Sequence, residues 1–228
     1  MTYPRWLSVS STPSGIDWLG RTELTAAAGM ATAKRRNDYL LRRWAGKALA
    51  GAVVGTSRVE VCNEPGGRPF LARRGRRQPW ALSLSDSMGL AVAAAVPMPA
   101  RLGIDIESVE PRSDAFITDF FTAAEARVAR AARQRDLAAN LIWSAKESAL
   151  KALGTGLRAD TRSIQVTFAR DSLLAEAPGA DWARIRVVTA EGKSLHGWWR
   201  MHLGAVLTVV ADPLVEMPRW CVGDAQIV

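Results

Sequence analysis

Gly103-Ile104-Asp105-Ile106-Glu107 alternates apolar and acidic side chains, the pattern of a strand with one face in a core. Side chains two apart on a strand share a face, so Ile104 and Ile106 pack inward while Asp105 and Glu107 project together. This strand is expected over residues 101–107. Toward the C-terminus, periodicity and alanine content predict helices over 116–135 and 136–153, the second ended by Gly154-Thr155-Gly156. Strand-forming stretches follow at 163–168, 183–189, 197–201 and 205–211. Toward the N-terminus, residues 81–96 hold two strands about Asp86-Ser87-Met88-Gly89, and 31–54 form a helix studded with Arg35, Arg36, Arg42, Arg43 and Lys47. Helices and strands are segregated, which argues for an α+β fold over a doubly wound parallel sheet. Pro97 and Pro99 break the chain and place a boundary near residue 100, giving units 1–100 and 101–228. No repeat of fixed period is visible.

The 228 residues are 48% hydrophobic and 23% charged, the balance of an ordinary globular protein. No apolar run approaches the ~20 residues of a membrane helix. Met1-Thr2-Tyr3-Pro4-Arg5-Trp6 lacks the basic start and apolar core of a secretory leader, and two cysteines make neither a metal pattern nor a disulfide framework. A cytoplasmic protein without membrane attachment is expected. The net charge of +8 is unevenly spread. Residues 1–100 hold 14 Lys and Arg against 6 Asp and Glu, whereas residues 101–228 hold 16 of each. A basic N-terminal half attracts polyphosphates, nucleic acids or acidic proteins, or is simply a soluble face.

Three elements carry candidate chemistry. Two carboxylates on one strand face repel each other, so Asp105 and Glu107 suit a hard cation such as Mg²⁺ or Ca²⁺; a solvated polar face explains them equally well. In Trp143-Ser144-Ala145-Lys146-Glu147-Ser148-Ala149-Leu150-Lys151, Trp143, Glu147 and Lys151 stack along one helical face. Glu147 is either a third metal ligand with Lys151 serving phosphate oxygens, or half of an ordinary surface pair. In Phe120-Phe121-Thr122-Ala123-Ala124-Glu125, Glu125 either closes a capping box with Thr122 or accepts a proton from an attacking hydroxyl.

Together and in this order, the three elements resemble the 4'-phosphopantetheinyl transferase superfamily, specifically its larger single-chain type that activates non-ribosomal peptide and polyketide synthases. That family's pattern is Gly-x-Asp-x-Glu, then Phe-Phe-(Ser/Thr)-x-x-Glu, then Trp-x-x-Lys-Glu-(Ala/Ser)-x-x-Lys, and residues 103–151 match all three. Upstream, residues 34–47 look like the family's basic helix, Gly67-Arg68-Pro69 like the loop beside the adenine and 3'-phosphate, and Leu84-Ser85-Asp86-Ser87 like its Ser-His-Ser segment. The resemblance implies a pseudo-twofold pair of similar α/β subdomains, each with a small antiparallel sheet and a packed helix, with coenzyme A between them. It implies coenzyme A contacts from Arg35, Arg43, Gly67, Arg68, Pro69, Ser85 and Lys151, and Mg²⁺ on Asp105, Glu107 and Glu147. Catalysis falls to Glu125, Glu147 and Lys151, the partner is an acidic apo acyl or peptidyl carrier protein, and the chain is a monomer.

One departure stands out, because the family's histidine is Asp86 here. An ionised carboxylate repels phosphate, so either Asp86 turns toward Arg35, Arg43 or Arg68, which is the expectation, or Ser85 and Ser87 carry the local contacts. His196 and His202 read as structural, and Trp198-Trp199, pointing to opposite faces of a strand, should leave one indole exposed. Two rival readings remain: a basic nucleic-acid-binding protein, for which no supporting motif is present, and a family member that binds coenzyme A without turnover.

Overall fold

The computed structural model describes residues 3–168, 182–213 and 215–221. Its first half runs β1 (Arg5–Val9), α1 (Arg21–Ala28), α2 (Ala33–Val54), β2 (Glu60–Asn63), β3 (Pro69–Arg73), β4 (Arg76–Arg77), β5 (Trp80–Ser87) and β6 (Leu90–Pro97). The second runs β7 (Arg101–Ser108), α3 (Asp114–Phe120), α4 (Ala123–Ala131), α5 (Arg135–Leu153), β8 (Ile164–Phe168), β9 (Ala183–Thr189), β10 (Ser194–His202) and β11 (Ala205–Asp212), followed by the two-residue strand β12 (Arg219–Trp220). The α+β expectation holds: among the described residues, five α-helices accompany three small sheets. Their orders are β12-β1-β6-β5, β7-β11-β10-β9-β8 and β2-β3-β4. Every pairing is antiparallel except the parallel contact of β12 with β1.

Side-chain alternation sorts these strands into layers. On β6, Ala91, Ala93 and Ala95 join Leu41, Ala45 and Leu49 of α2 in one core, while Val92, Ala94 and Val96 face the other way. There they meet Ile104 and Ile106 of β7 and Leu207 and Val209 of β11. The opposite face of β11, through Val206 and Val210, packs on Leu141, Ala145 and Ala149 of α5. The order is therefore helix α2, first sheet, second sheet, helix α5. Strands buried on both faces read as continuous apolar runs, which is why residues 90–96 are so uniformly aliphatic.

The helix expected over 116–135 is in fact two. Phe121 is extended (φ −106°, ψ 149°), and Thr122 starts α4 by accepting the backbone N–H of Glu125. The capping signature in the sequence outweighs the continuous periodicity around it. Trp198 and Trp199 do point to opposite faces, yet both are buried, so the expectation of an exposed indole fails. Trp199 joins the core under α5, and Trp198 lies beneath the Arg184 guanidinium, 4.8 Å from its ring centre.

Although no repeat shows in the sequence, the path β1-α1-α2-β2-β3-β5-β6 recurs as β7-α4-α5-β8-β9-β10-β11. In each, the first strand pairs with the last, and the last with the one before it. The same buried ion pair fastens both. Glu23 closes the capping box of α1 through the Gly20 N–H (2.7 Å), accepts the Val61 N–H (2.9 Å) and meets Lys47 of α2 at 2.8 Å. Glu125 does the same for α4, accepting from the N–H groups of Thr122 (2.7 Å) and Val166 (2.6 Å) and meeting Lys146 of α5 at 2.8 Å. Lys47 also donates to the Val59 carbonyl, and Lys146 to those of Thr161 and Ile164.

Removing one partner of such a pair strands a charge in the interior, a cost of about 3–5 kcal/mol. Lys47→Met and Lys146→Met are each expected to lower stability by about that amount, read as a reduced urea midpoint with an unchanged slope.

Candidate active site

Helix α5 runs antiparallel to β7 on the face opposite the inter-sheet core. Eight helical residues advance about 12 Å and two strand residues nearly 7 Å, so the long side chains at the two ends of this α5 stretch lean inward to reach side chains two apart on β7. Trp143 donates its indole N–H to Glu107 Oε1 (2.9 Å), and Lys151 donates to Asp105 Oδ1 (2.7 Å), with Glu147 between them on the helix. Gly103 makes this approach possible. A Cβ there would fall on the Ser148 carbonyl oxygen and within 2.8 Å of Lys151 Cβ. The seam is polar beyond the carboxylates, since the Ser144 and Ser148 hydroxyls bond to Thr208 Oγ1 at 2.9 and 2.7 Å.

Asp105 is 3% exposed, which rules out a merely solvated face. Its Oδ1 also accepts the Ser85 hydroxyl (2.7 Å), and its Oδ2 is buried with no partner among the described residues. Glu107 is held by Trp143 and by Arg112 (3.0 Å), a residue that sequence reasoning missed and that no motif marks. Burial, then repulsion from Asp105, raises the Glu107 carboxyl above the ordinary range, with Arg112 and Trp143 opposing. Burial and the charge of Asp105 push Glu147 up to about 7, with Lys151 opposing. The three carboxylates thus share one neighbourhood and feel one another. They do not form a closed cage: among the described residues, no three acidic, histidine or cysteine side chains are arranged to hold a metal. The expected convergence on a single point is corrected to that extent, because Arg112 and Trp143 occupy both oxygens of Glu107.

The donor chemistry nevertheless fits Mg²⁺. The oxygens are hard, one of them is buried and unpaired, and the excess negative charge is of the kind a divalent ion offsets. Asp105 and Glu147 would hold it directly, and Glu107 after releasing one of its two donors.

A cavity of about 210 Å³ opens beside this cluster, lined by Gly67, Arg68, Pro69, Leu84, Lys151 and Gly154 among others. It brings the loop of the first half against the end of α5. Gly67 (φ +89°) turns that loop, and the Arg158 guanidinium ties it across the gap to the Gly66 carbonyl (3.0 Å). The Arg68 guanidinium lies over Gly154, where any Cβ would overlap it, and reaches the Ala152 carbonyl (3.5 Å). Lys151 also donates to Ser85 Oγ (3.1 Å), so Ser85, Lys151 and Asp105 form one hydrogen-bonded group. Arg43 stacks on Tyr39 and donates to Asn63, which donates in turn to the Gly67 carbonyl. Two Arg43 nitrogens, Nε and Nη1, are buried without partners among the described residues. Arg35 is exposed on the first turn of α2, away from these hydrogen bonds.

Two expectations need correction. Asp86 pairs with Arg42, not with Arg35, Arg43 or Arg68; Arg42 faces β5 while Arg43, one residue on, faces β2. Glu125 is not at the site. It is 2% exposed, its oxygens are taken by Thr122, Val166 and Lys146, and it is not among the charges acting on Glu147. Its role is the capping one.

Residues 101–194, the segment carrying β7 and α5, match the family model ACPS, described as the 4'-phosphopantetheinyl transferase superfamily. The match covers less than half of the chain, and over that segment the chain is similar to that superfamily. Among solved structures, the holo-[acyl-carrier-protein] synthase of Thermotoga maritima aligns at 19% identity with a TM-score of 0.38. The alignment covers 49% of this chain and 61% of that one, so this chain spans under two thirds of the length of that relative. No curated protein matches. No helix among the described residues is long and apolar enough to cross a membrane.

Glu147 gives the metal-free protein a definite pH response. A folded-state carboxyl near 7 keeps a proton that the unfolded chain, with an ordinary glutamate near 4.3, has released. Stability therefore falls as pH rises from about 4.3 to 7, and urea midpoints should fall over that window. Glu147→Gln is expected to flatten the response. Gly103→Ala is expected to destabilise by about 1–3 kcal/mol, since α5 must move off β7, read as a reduced urea midpoint.

Proposed function

We propose that the chain transfers 4'-phosphopantetheine from coenzyme A to a serine hydroxyl of an apo acyl or peptidyl carrier protein, releasing 3',5'-ADP, with Mg²⁺ required. The observation that supports this best is the buried Asp105 with one oxygen unpaired among the described residues, bonded to Ser85 and to Lys151, which lines the inter-half cavity. In this reading the chain is of the larger single-chain type, acting as a cytoplasmic monomer. Residues 1–100 take the nucleotide side of coenzyme A and residues 101–228 the metal and catalytic groups.

The basic residues of the first half serve the nucleotide. Arg43, with two buried nitrogens unpaired, and Arg35, free at the start of α2, would bind phosphate. Gly67, Arg68 and Pro69 would border the adenosine end. Arg42 neutralises Asp86 and so removes the repulsion that a lone carboxylate would exert on the pyrophosphate. Lys151, released from Asp105 as substrate enters, would follow the diphosphate together with Ser85.

When bound by Asp105, Glu147 and Glu107, Mg²⁺ would supply positive charge against the diphosphate as charge builds on its oxygens. The carrier serine oxygen forms a bond to the β-phosphorus, and the bond from that phosphorus to the bridging oxygen breaks, leaving 3',5'-ADP. The serine proton needs an acceptor matched to neutral pH. With Glu125 committed to its cap, Glu147 is the acceptor we assign, through the carboxylate oxygen that does not hold the metal.

Incubation with coenzyme A, Mg²⁺ and an apo carrier should add one phosphopantetheine to the carrier serine, read by intact-protein mass. Glu107→Ala should abolish transfer with the urea midpoint held, and Lys151→Ala should lower turnover by roughly 100-fold or more. No mass gain across a panel of carriers, with coenzyme A still bound, would favour the non-catalytic binder instead.

A further inference from the structure

A cavity of about 800 Å³ lies in the first half, away from the site just described. It sits at the far end of β3 from Gly67–Pro69, and its lining includes Trp18, Trp44, Arg58 and Arg74. The internal repeat explains why it is hollow. Trp44 stands three residues before Lys47 on α2, as Trp143 stands three before Lys146 on α5. Around Trp143 the space is filled by helix α3, with Phe116 and Phe120 each 5.1 Å from the indole. The first half has no counterpart of α3. The chain between β1 and α1 supplies only Trp18, edge-on to Trp44 at 5.6 Å and pinned by its own N–H to the Gly15 carbonyl (3.2 Å). Two half-buried indoles therefore face open space over a floor of Leu19, Val59 and Ala72.

The mouth is charged. Arg58 and Arg74 stand exposed on it, and Arg73 and Arg76 flank Arg74 on the β3–β4 hairpin, which Arg74 and Gly75 turn with positive φ. Two acids share the lining, and the excess of positive charge comes from Arg73 and Arg76 beside it. Glu60 accepts from Thr22 (3.4 Å) and is packed over Gly20, while Asp17 is exposed to solvent. Cavities of this size, with aromatic walls and a few polar groups, are those that hold small molecules. Indole faces select a planar ring, and guanidinium groups at the mouth select an anion.

We propose that this cavity binds a small planar aromatic anion, at a site separate from the coenzyme A cleft. Its walls touch the cleft indirectly: Trp44 adjoins Arg43 on α2, and β2 leads from Glu60 to Asn63, the partner of Arg43 and Gly67.

The test titrates the full chain with 8-anilinonaphthalene-1-sulfonate, followed by its fluorescence and by quenching of tryptophan. One saturable site is expected, with the same affinity in the presence of saturating coenzyme A. Because Arg58 and Arg74 are exposed, Arg58→Glu with Arg74→Glu should keep the urea midpoint while weakening the probe about tenfold or more. The same rings without the sulfonate should bind correspondingly less. No saturable binding, displacement by coenzyme A, or equal affinity in the double variant would each overturn the proposal.

Discussion

The contact between α5 and β7 at Gly103 governs the arrangement of the second half. Without a side chain at that position the helix backbone comes down onto the strand, and only at that separation can Lys151 reach Asp105 and Trp143 reach Glu107. The buried seam this creates is unusual in being polar. Ser144, Ser148 and Thr208 satisfy one another within it, and the cost of enclosing three carboxylates beside them appears as a raised Glu107 and a Glu147 near 7. The tension is concentrated where chemistry would use it. A protein built for stability alone would place aliphatic residues there.

Comparison of the two halves shows how the site was set apart from its scaffold. Both carry the same glutamate–lysine fastening between a short helix, a long helix and the following strand. At the first and fifth positions after the fastening lysine, α2 has Ala48 and Ala52, whereas α5 has Glu147 and Lys151. The framework is shared and the charges are not. The first half carries its cations earlier on α2, at Arg35, Arg42 and Arg43, of which Arg43 faces the loop side.

The strands at 183–189 and 205–211, the turn at Met88-Gly89 and the helix 136–153 were legible because their periodicity is local and strong. The Asp105–Glu107 pairing was legible for the same reason. What escaped was set by contacts distant in sequence. β1 and α1 have short or mixed patterns and take their form from β6 and from Glu60 and Val61. Arg112 was invisible because nothing in its neighbours says that Glu107 lies within reach. Asp86 could be assigned to an arginine on electrostatic grounds, but choosing Arg42 over Arg43 needs the helix phase relative to β5. Glu125 was legible as a cap from Thr-x-x-Glu, and its burial against Lys146, which removes it from proton transfer, was not.

The strand β12 closes the first sheet from the opposite end of the chain, pairing Arg219 and Trp220 with Arg5 and Trp6. Trp220 lies edge-on to Trp6 at 4.4 Å, so the joint is aromatic as well as hydrogen-bonded. During synthesis, β1 and β6 can meet as soon as the first half emerges, but the outer edge of β1 stays bare until residues 219–220 leave the ribosome. An open edge of that kind invites pairing with another chain. Translation order thus imposes a waiting period on the first sheet, and truncation near residue 100 would free the basic half only by leaving that edge permanently uncovered.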